Sequence, residues 1–207
     1  MNGVPDARIR LLVERPAHPE GRFVLYWMLT ARRLHSNFGL ERAVYWAEQL
    51  GRPLVILEEL RHDYAWASPR MHRFALDGMR EHAECLRAGP VTYLPYVEPH
   101  PGAREGLLEA LAAHACVVVS DDYPVWDVPQ LLSAASQGVG VRFEAVDSNG
   151  LLPMRSACRD FTAAVHFRRH LHKELSPHLV RFPHPDPLAS AELVAGDAGL
   201  LLGDGNL

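Results

Sequence analysis

The chain has 207 residues, 48% of them hydrophobic and 22% charged, with 21 Lys and Arg against 25 Asp and Glu for a formal charge of −4. That length suits one domain with a sizeable core, and the composition excludes wholesale disorder. The acidic balance excludes a protein that coats nucleic acid with its whole surface, so any such contact needs a local basic patch.

Residues 1–21, with Pro5, Pro16, Pro19 and Gly21, read as an N-terminal arm with room for one short helix. Phe23–Met28 (FVLYWM) is a short aromatic-rich apolar run and predicts a buried strand. Leu40, Ala43, Val44, Ala47 and Leu50 recur at helical spacing until Gly51. Pro53–Leu57 (PLVIL) predicts the second strand. Ser68-Pro69 pairs an N-cap with proline at the first helical position, and Phe74, Met79, Ala83 and Leu86 extend that helix to Gly89-Pro90. Val91–Leu94 predicts a third strand, 104–114 a helix, Cys116–Ser120 a fourth strand, 128–137 a helix ended by Gly138, and Val141–Val146 a fifth strand.

Strands that are continuously apolar and alternate with helices predict an α/β fold: a Rossmann-like, five-stranded, mostly parallel sheet with helices on both faces. The domain spans 22–154. Residues 155–184 form a basic helical linker, with Arg155, Arg159, Arg168, Arg169, Lys173 and Arg181 against Asp160 and Glu174. Residues 185–207 are a tail without Lys or Arg. The cysteines Cys85, Cys116 and Cys158 are too scattered for a disulfide framework or a CxxC zinc site and suit a reducing compartment. No apolar run reaches the roughly 18–20 residues that span a bilayer, and the charged first twenty residues lack a signal-peptide core. A cytoplasmic protein without membrane contact is expected.

Open parallel sheets bind ligands beyond the carboxyl ends of their strands. For such a cleft the candidate residues are Trp27, Met28, Arg33 and Asn37 at and after the first expected strand, Glu58 after the second and Asp121 after the fourth. The loop from 29 to 37 offers Arg32, Arg33 and His35 to an anion, or serves only to cap the helix that follows. Asp121-Asp122 could hold a metal or act as acid and base, but no partner cluster stands at ligand spacing, and a capping role competes. His166 and His170 share a helix face without an HExxH pattern, so a solvated basic face competes with a metal site there, and contact with nucleic-acid phosphate is a further option. Absence of GxGxxG and GxxxxGK[ST] argues against a dehydrogenase and a P-loop NTPase, and no GxSxG or Ser–His–Asp arrangement can be read out.

Tyr26-Trp27-Met28 followed by Arg33, Asn37 and Leu40 resembles the opening of class II cyclobutane-pyrimidine-dimer DNA photolyases. Ala7-Arg8-Ile9-Arg10 is similar to their basic entry arm, and Arg70, Phe74 and Gly78-Met79 to an R…F…GL helix. Val146-Asp147-Ser148-Asn149-Gly150-Leu151-Leu152-Pro153 resembles a VDxxNxVP segment, and Phe161 through Arg169 the helix after it. Ser36 stands where that family usually has Asp, and Asn149-Gly150 where it has His-Asn. The resemblance runs from about residue 7 to about 173. It implies the N-terminal domain of a light-driven lyase that repairs UV-induced pyrimidine dimers, with a possible deazaflavin-type antenna chromophore in this domain. FAD and damaged DNA would bind a larger C-terminal helical domain, toward which the tail 185–207 would lead, so this stretch alone would be inactive. The alternatives are a stand-alone module binding a nucleotide or chromophore, with ATP or a pterin as candidates, and a supporting domain without a ligand.

Overall fold

The computed structural model describes residues 3–157 and 159–196. Six strands form one sheet in the order β1-β6-β5-β2-β3-β4, with β1 Ile9–Val13, β2 Phe23–Met28, β3 Leu54–Leu60, β4 Thr92–Val97, β5 Ala115–Asp121 and β6 Arg142–Val146. Strands β2 to β6 pair in parallel, and β1 runs antiparallel along β6. The helices are α1 Phe38–Leu50, α2 Pro69–Leu86, α3 Leu107–Ala112, α4 Val128–Gly138 and α5 Ala164–Glu174.

The sheet thus has one strand more than the five expected. The segment read as an arm supplies it, since Ile9–Val13 is a strand of the sheet. The physical reason is local. A short strand at a sheet edge needs only partial burial, and Ile9–Val13 carries Arg10 within a charged, proline-flanked stretch, so it lacks the continuous apolar run of a central strand.

Side chains on β2 alternate between two cores, as the two-residue period of a strand requires. Val24, Tyr26 and Met28 pack under α1 with Leu40, Ala43 and Ala47, while Leu86 of α2 joins the same cluster. Phe23, Leu25 and Trp27 face the other side, against Leu108 and Leu111 of α3 and Leu132 and Ala135 of α4. Helices therefore cover both faces, and β2 is fully buried. The expected caps form. Asn37 accepts from the amides of Gly39 and Leu40 at the start of α1, Gly51 adopts φ 57° at its end, and Ser68 accepts from Met71 ahead of Pro69. Gly21 lies so close to β5 that a Cβ there would stand 2.4 Å from the Cys116 amide nitrogen.

Beyond β6, the basic segment is tied to the sheet at one end, where Arg155 clasps Asp122. Residues 185–196 run back over α1: Pro185 accepts from the Ser36 amide, the Glu192 amide donates to Glu48, and Leu188, Ala191 and Leu193 pack on the α1 core. The end of the tail and Cys158 lie outside the described residues.

Candidate functional site

Strand order reverses between β2 and β5, which lie side by side in parallel, and this is where a doubly wound sheet opens a crevice. A carboxylate of the protein itself fills it. Asp121, at the end of β5, accepts the amides of Leu29, Thr30 and Ala31 on one oxygen at 2.8–2.9 Å. Its other oxygen accepts the Tyr26 hydroxyl at 2.7 Å. Asn37 donates to the Ala31 and Arg33 carbonyls at 3.0 Å while capping α1, and the Ser148 hydroxyl donates to its Oδ1. Gly39 is pressed so close that a Cβ would meet Asp121 Oδ1 and the Tyr26 hydroxyl at 3.0 Å. Three successive amides converging on one anion form the arrangement that binds phosphate in nucleotide folds. Here that position is taken by Asp121. Full burial pushes the Asp121 carboxyl pKa up, against the pull of its phenol and amide donors. Burial and the adjacent Asp121 likewise raise Tyr26 well above the ordinary phenol value.

A second polar cluster sits at the end of β3, where neighbouring glutamates face opposite sides of the sheet. Glu58 accepts from Tyr93 at 2.7 Å, lies 2.8 Å from His82 Nδ1, and pairs with Arg32 at 3.4 Å. Burial works against its charge, but these partners prevail and hold it below the usual glutamate value. Glu59 accepts the Trp27 indole N–H at 2.9 Å and faces Arg104 at 3.6 Å. Burial dominates there and its pKa is raised. Glu59 and Trp27 border a cleft of about 310 Å³ between α3 and α4, with Leu108, Leu131 and Ala135 as apolar walls.

The third cluster joins the two chain segments flanking the sheet edge. Asp122 receives paired donations from Arg10 and from Arg155, which outweigh its burial and lower its pKa. Buried Arg8 donates to the carbonyls of Asp147, Asn149, Gly150 and Leu151. With Asp122, Asp147 and Arg155 it lines a cleft of about 410 Å³.

The six candidate residues are therefore brought to one end of the sheet, but not into one cavity wall. Met28 and Asn37 are 0% exposed and Trp27, Glu58 and Asp121 are 1% exposed. Each of the polar ones is engaged with the protein's own groups. Arg33 is exposed, with bonds to the Ser36 and Ser148 carbonyls. Asp121 and Asp122 diverge to separate partners and do not act as a pair. Among the described residues no group of three His, Cys, Asp or Glu is placed to hold a metal ion. No described helix is long and apolar enough to cross a membrane. Reading the sequence for ligand contacts missed Arg8, Glu59 and the Arg10–Asp122–Arg155 clasp. The Ala7–Arg10 run and Arg155 were visible, but nothing in their spacing signals the shared carboxylate.

No protein-family model matches the chain. Curated proteins do. A deoxyribodipyrimidine photo-lyase of Methanothermobacter thermautotrophicus is 26% identical over 186 residues, covering 87% of this chain and 41% of that protein. The enzymes of the same name from Arabidopsis thaliana and Oryza sativa subsp. japonica are 25% and 28% identical, over 89% and 86% of this chain and 38% and 36% of their own length. Over most of its length this chain is thus related to deoxyribodipyrimidine photolyases, and it spans about two fifths of the length of those relatives.

Proposed function

We propose that this chain is the N-terminal α/β domain of a class II-type deoxyribodipyrimidine photolyase, a light-driven lyase that splits UV-induced pyrimidine dimers in DNA. The observation that carries the reading is the similarity to three photolyases over more than four fifths of the chain. The Val146–Pro153 segment adds support, because it forms the end of β6 and its turn, where Arg8 and Asn37 meet it.

FAD belongs to the partner helical region under this reading. The loop after β2 does not fit a dinucleotide, since Asp121 already occupies its three amides. The same occupancy argues against ATP there, and so against the stand-alone nucleotide module. For a deazaflavin-type antenna pigment the residues with a fit are Trp27 and Glu59, which border the cleft between α3 and α4. Asp121, Asn37 and Glu58 would then shape the strand ends without touching the pigment.

Intact-mass analysis of the endogenous protein, with its absorption spectrum, tests the proposal. A mass well above 23.1 kDa, bound flavin and blue-light-dependent cleavage of thymine dimers are expected. A 23.1 kDa protein that copurifies with no flavin subunit would overturn it.

A further inference from the structure

Charge is distributed unevenly along the chain. Residues 155–184 hold six Lys and Arg against two Asp and Glu, within a chain whose formal charge is −4. Before residue 155 many of the arginines pair with carboxylates on other elements or one turn away, among them Arg10 with Asp122, Arg42 and Arg142 with Glu144, and Arg73 and Arg80 with Asp77. Helix α5 has no such pair to another element among the described residues. Among the described residues no carboxylate pairs with Arg168 or Arg169, and Lys173 meets only its neighbour Glu174, at 3.4 Å with 82% of its side chain exposed.

The cations of α5 are also segregated. At roughly 100° per residue, Arg168, Arg169 and Lys173 fall within one arc of about 140° that contains no carboxylate, with His172 and the exposed Val165 between them. Glu174 lies outside it. Phe167, Leu171 and Ala164 occupy the opposite arc, where the Phe167 ring packs on Phe161 at 5.3 Å between centroids. None of the eleven residues of α5 is buried. A helix of that length is marginal in water without support, and Arg169 and Lys173, one turn apart, repel. A polyanion laid along the arc removes the repulsion and supports the helix.

We infer that the basic arc of α5 is a contact face for the phosphate backbone of nucleic acid. Anionic lipid fits less well. A bilayer that took up Phe167 and Leu171 would leave the centre of the basic arc facing water, because the two arcs lie on opposite sides of the helix. Taking duplex DNA as the nucleic acid rests on the photolyase reading.

The test is fluorescence anisotropy of a labelled, undamaged DNA duplex with the 207-residue chain in the dark. Three phosphate contacts, from Arg168, Arg169 and Lys173, give a slope of log K against log salt of about −2.7, so binding weakens about 40-fold between 50 and 200 mM salt. The double variant R168E/R169E binds more than tenfold more weakly at the lower salt, with the thermal unfolding of the sheet domain unchanged because both side chains are exposed. Arg70→Glu, an exposed site on α2, stays within twofold. No binding at 50 mM salt, an equal loss with Arg70→Glu, or binding to phosphatidylserine vesicles but not to DNA would each overturn the inference. The photolyase reading is judged separately, on flavin and light, so either can fail alone.

Discussion

Replacing Asp121 by alanine removes the acceptor of three amides and one hydroxyl in a single step. The Tyr26 hydroxyl and the Ala31 amide lie on buried residues, at 0% and 3% exposure, where water has little access. Each buried donor left without an acceptor costs about 1–3 kcal/mol. Leu29 and Thr30 are half-buried and can recruit water, so their amides add little. Burial disfavours the Asp121 charge, so its removal returns part of the loss. The expected destabilisation is about 2–5 kcal/mol, or a fall in Tm of about 5–15 °C for a chain of this size. Urea melts followed by circular dichroism measure it. A second reading separates an anion receptor from mere packing. With the carboxylate gone, the amides of 29–31 are open to an added anion, so inorganic phosphate should raise the Tm of Asp121→Ala and not that of the unaltered protein. A loss below 1 kcal/mol, or equal stabilisation of both proteins by phosphate, would refute the view that Asp121 acts as the crevice's resident anion.

Acid should destabilise the fold through carboxylates whose pKa values are held low. Glu144, fully buried on β6, is kept ionised by Arg42, Trp46 and Arg142 despite its burial, and Asp122 by Arg155 and Arg10. A depressed carboxylate contributes stability above its unfolded value and loses it as pH falls through the folded one. The urea midpoint should therefore hold from pH 7 down to near the ordinary glutamate value of 4.5 and drop below it, and Glu144→Gln should flatten that drop. Arg8→Lys leaves the four carbonyls of 147–151 with a point charge in place of a planar fork, and a loss of about 2–3 kcal/mol with faster proteolysis in 148–153 is expected. Gly21→Ala drives a methyl group into the β5 backbone and should lower stability by about 1–3 kcal/mol, measured in the same melts.

The central strands were legible because burial on both faces writes itself as an uninterrupted apolar run, as in FVLYWM and CVVVS. Asn37 and Ser68 were legible because a cap is a local event of one side chain and the next few amides. Ile9–Val13 was not, since an edge strand carries a weaker pattern and owes its pairing to residues 143–146, far along the chain. The site was half legible. Polar residues at strand ends do converge, yet whether Asp121 faces a ligand or the protein's own amides depends on the path of 29–31, which no spacing encodes. Glu144 shows the same limit from the other side. A carboxylate within a core strand looks like an interruption until Arg42, on the helix above, is seen to reach it.

The pairing of the first strand with the last has a consequence for synthesis. Arg8 and its partner Asp147 are 139 residues apart, and translation at about 5–20 residues per second separates their emergence by roughly 7 to 28 s. Through that interval Ile9, Leu11 and Val13 leave the ribosome with no strand to join. The sheet must grow outward from β2, and its N-terminal edge closes last.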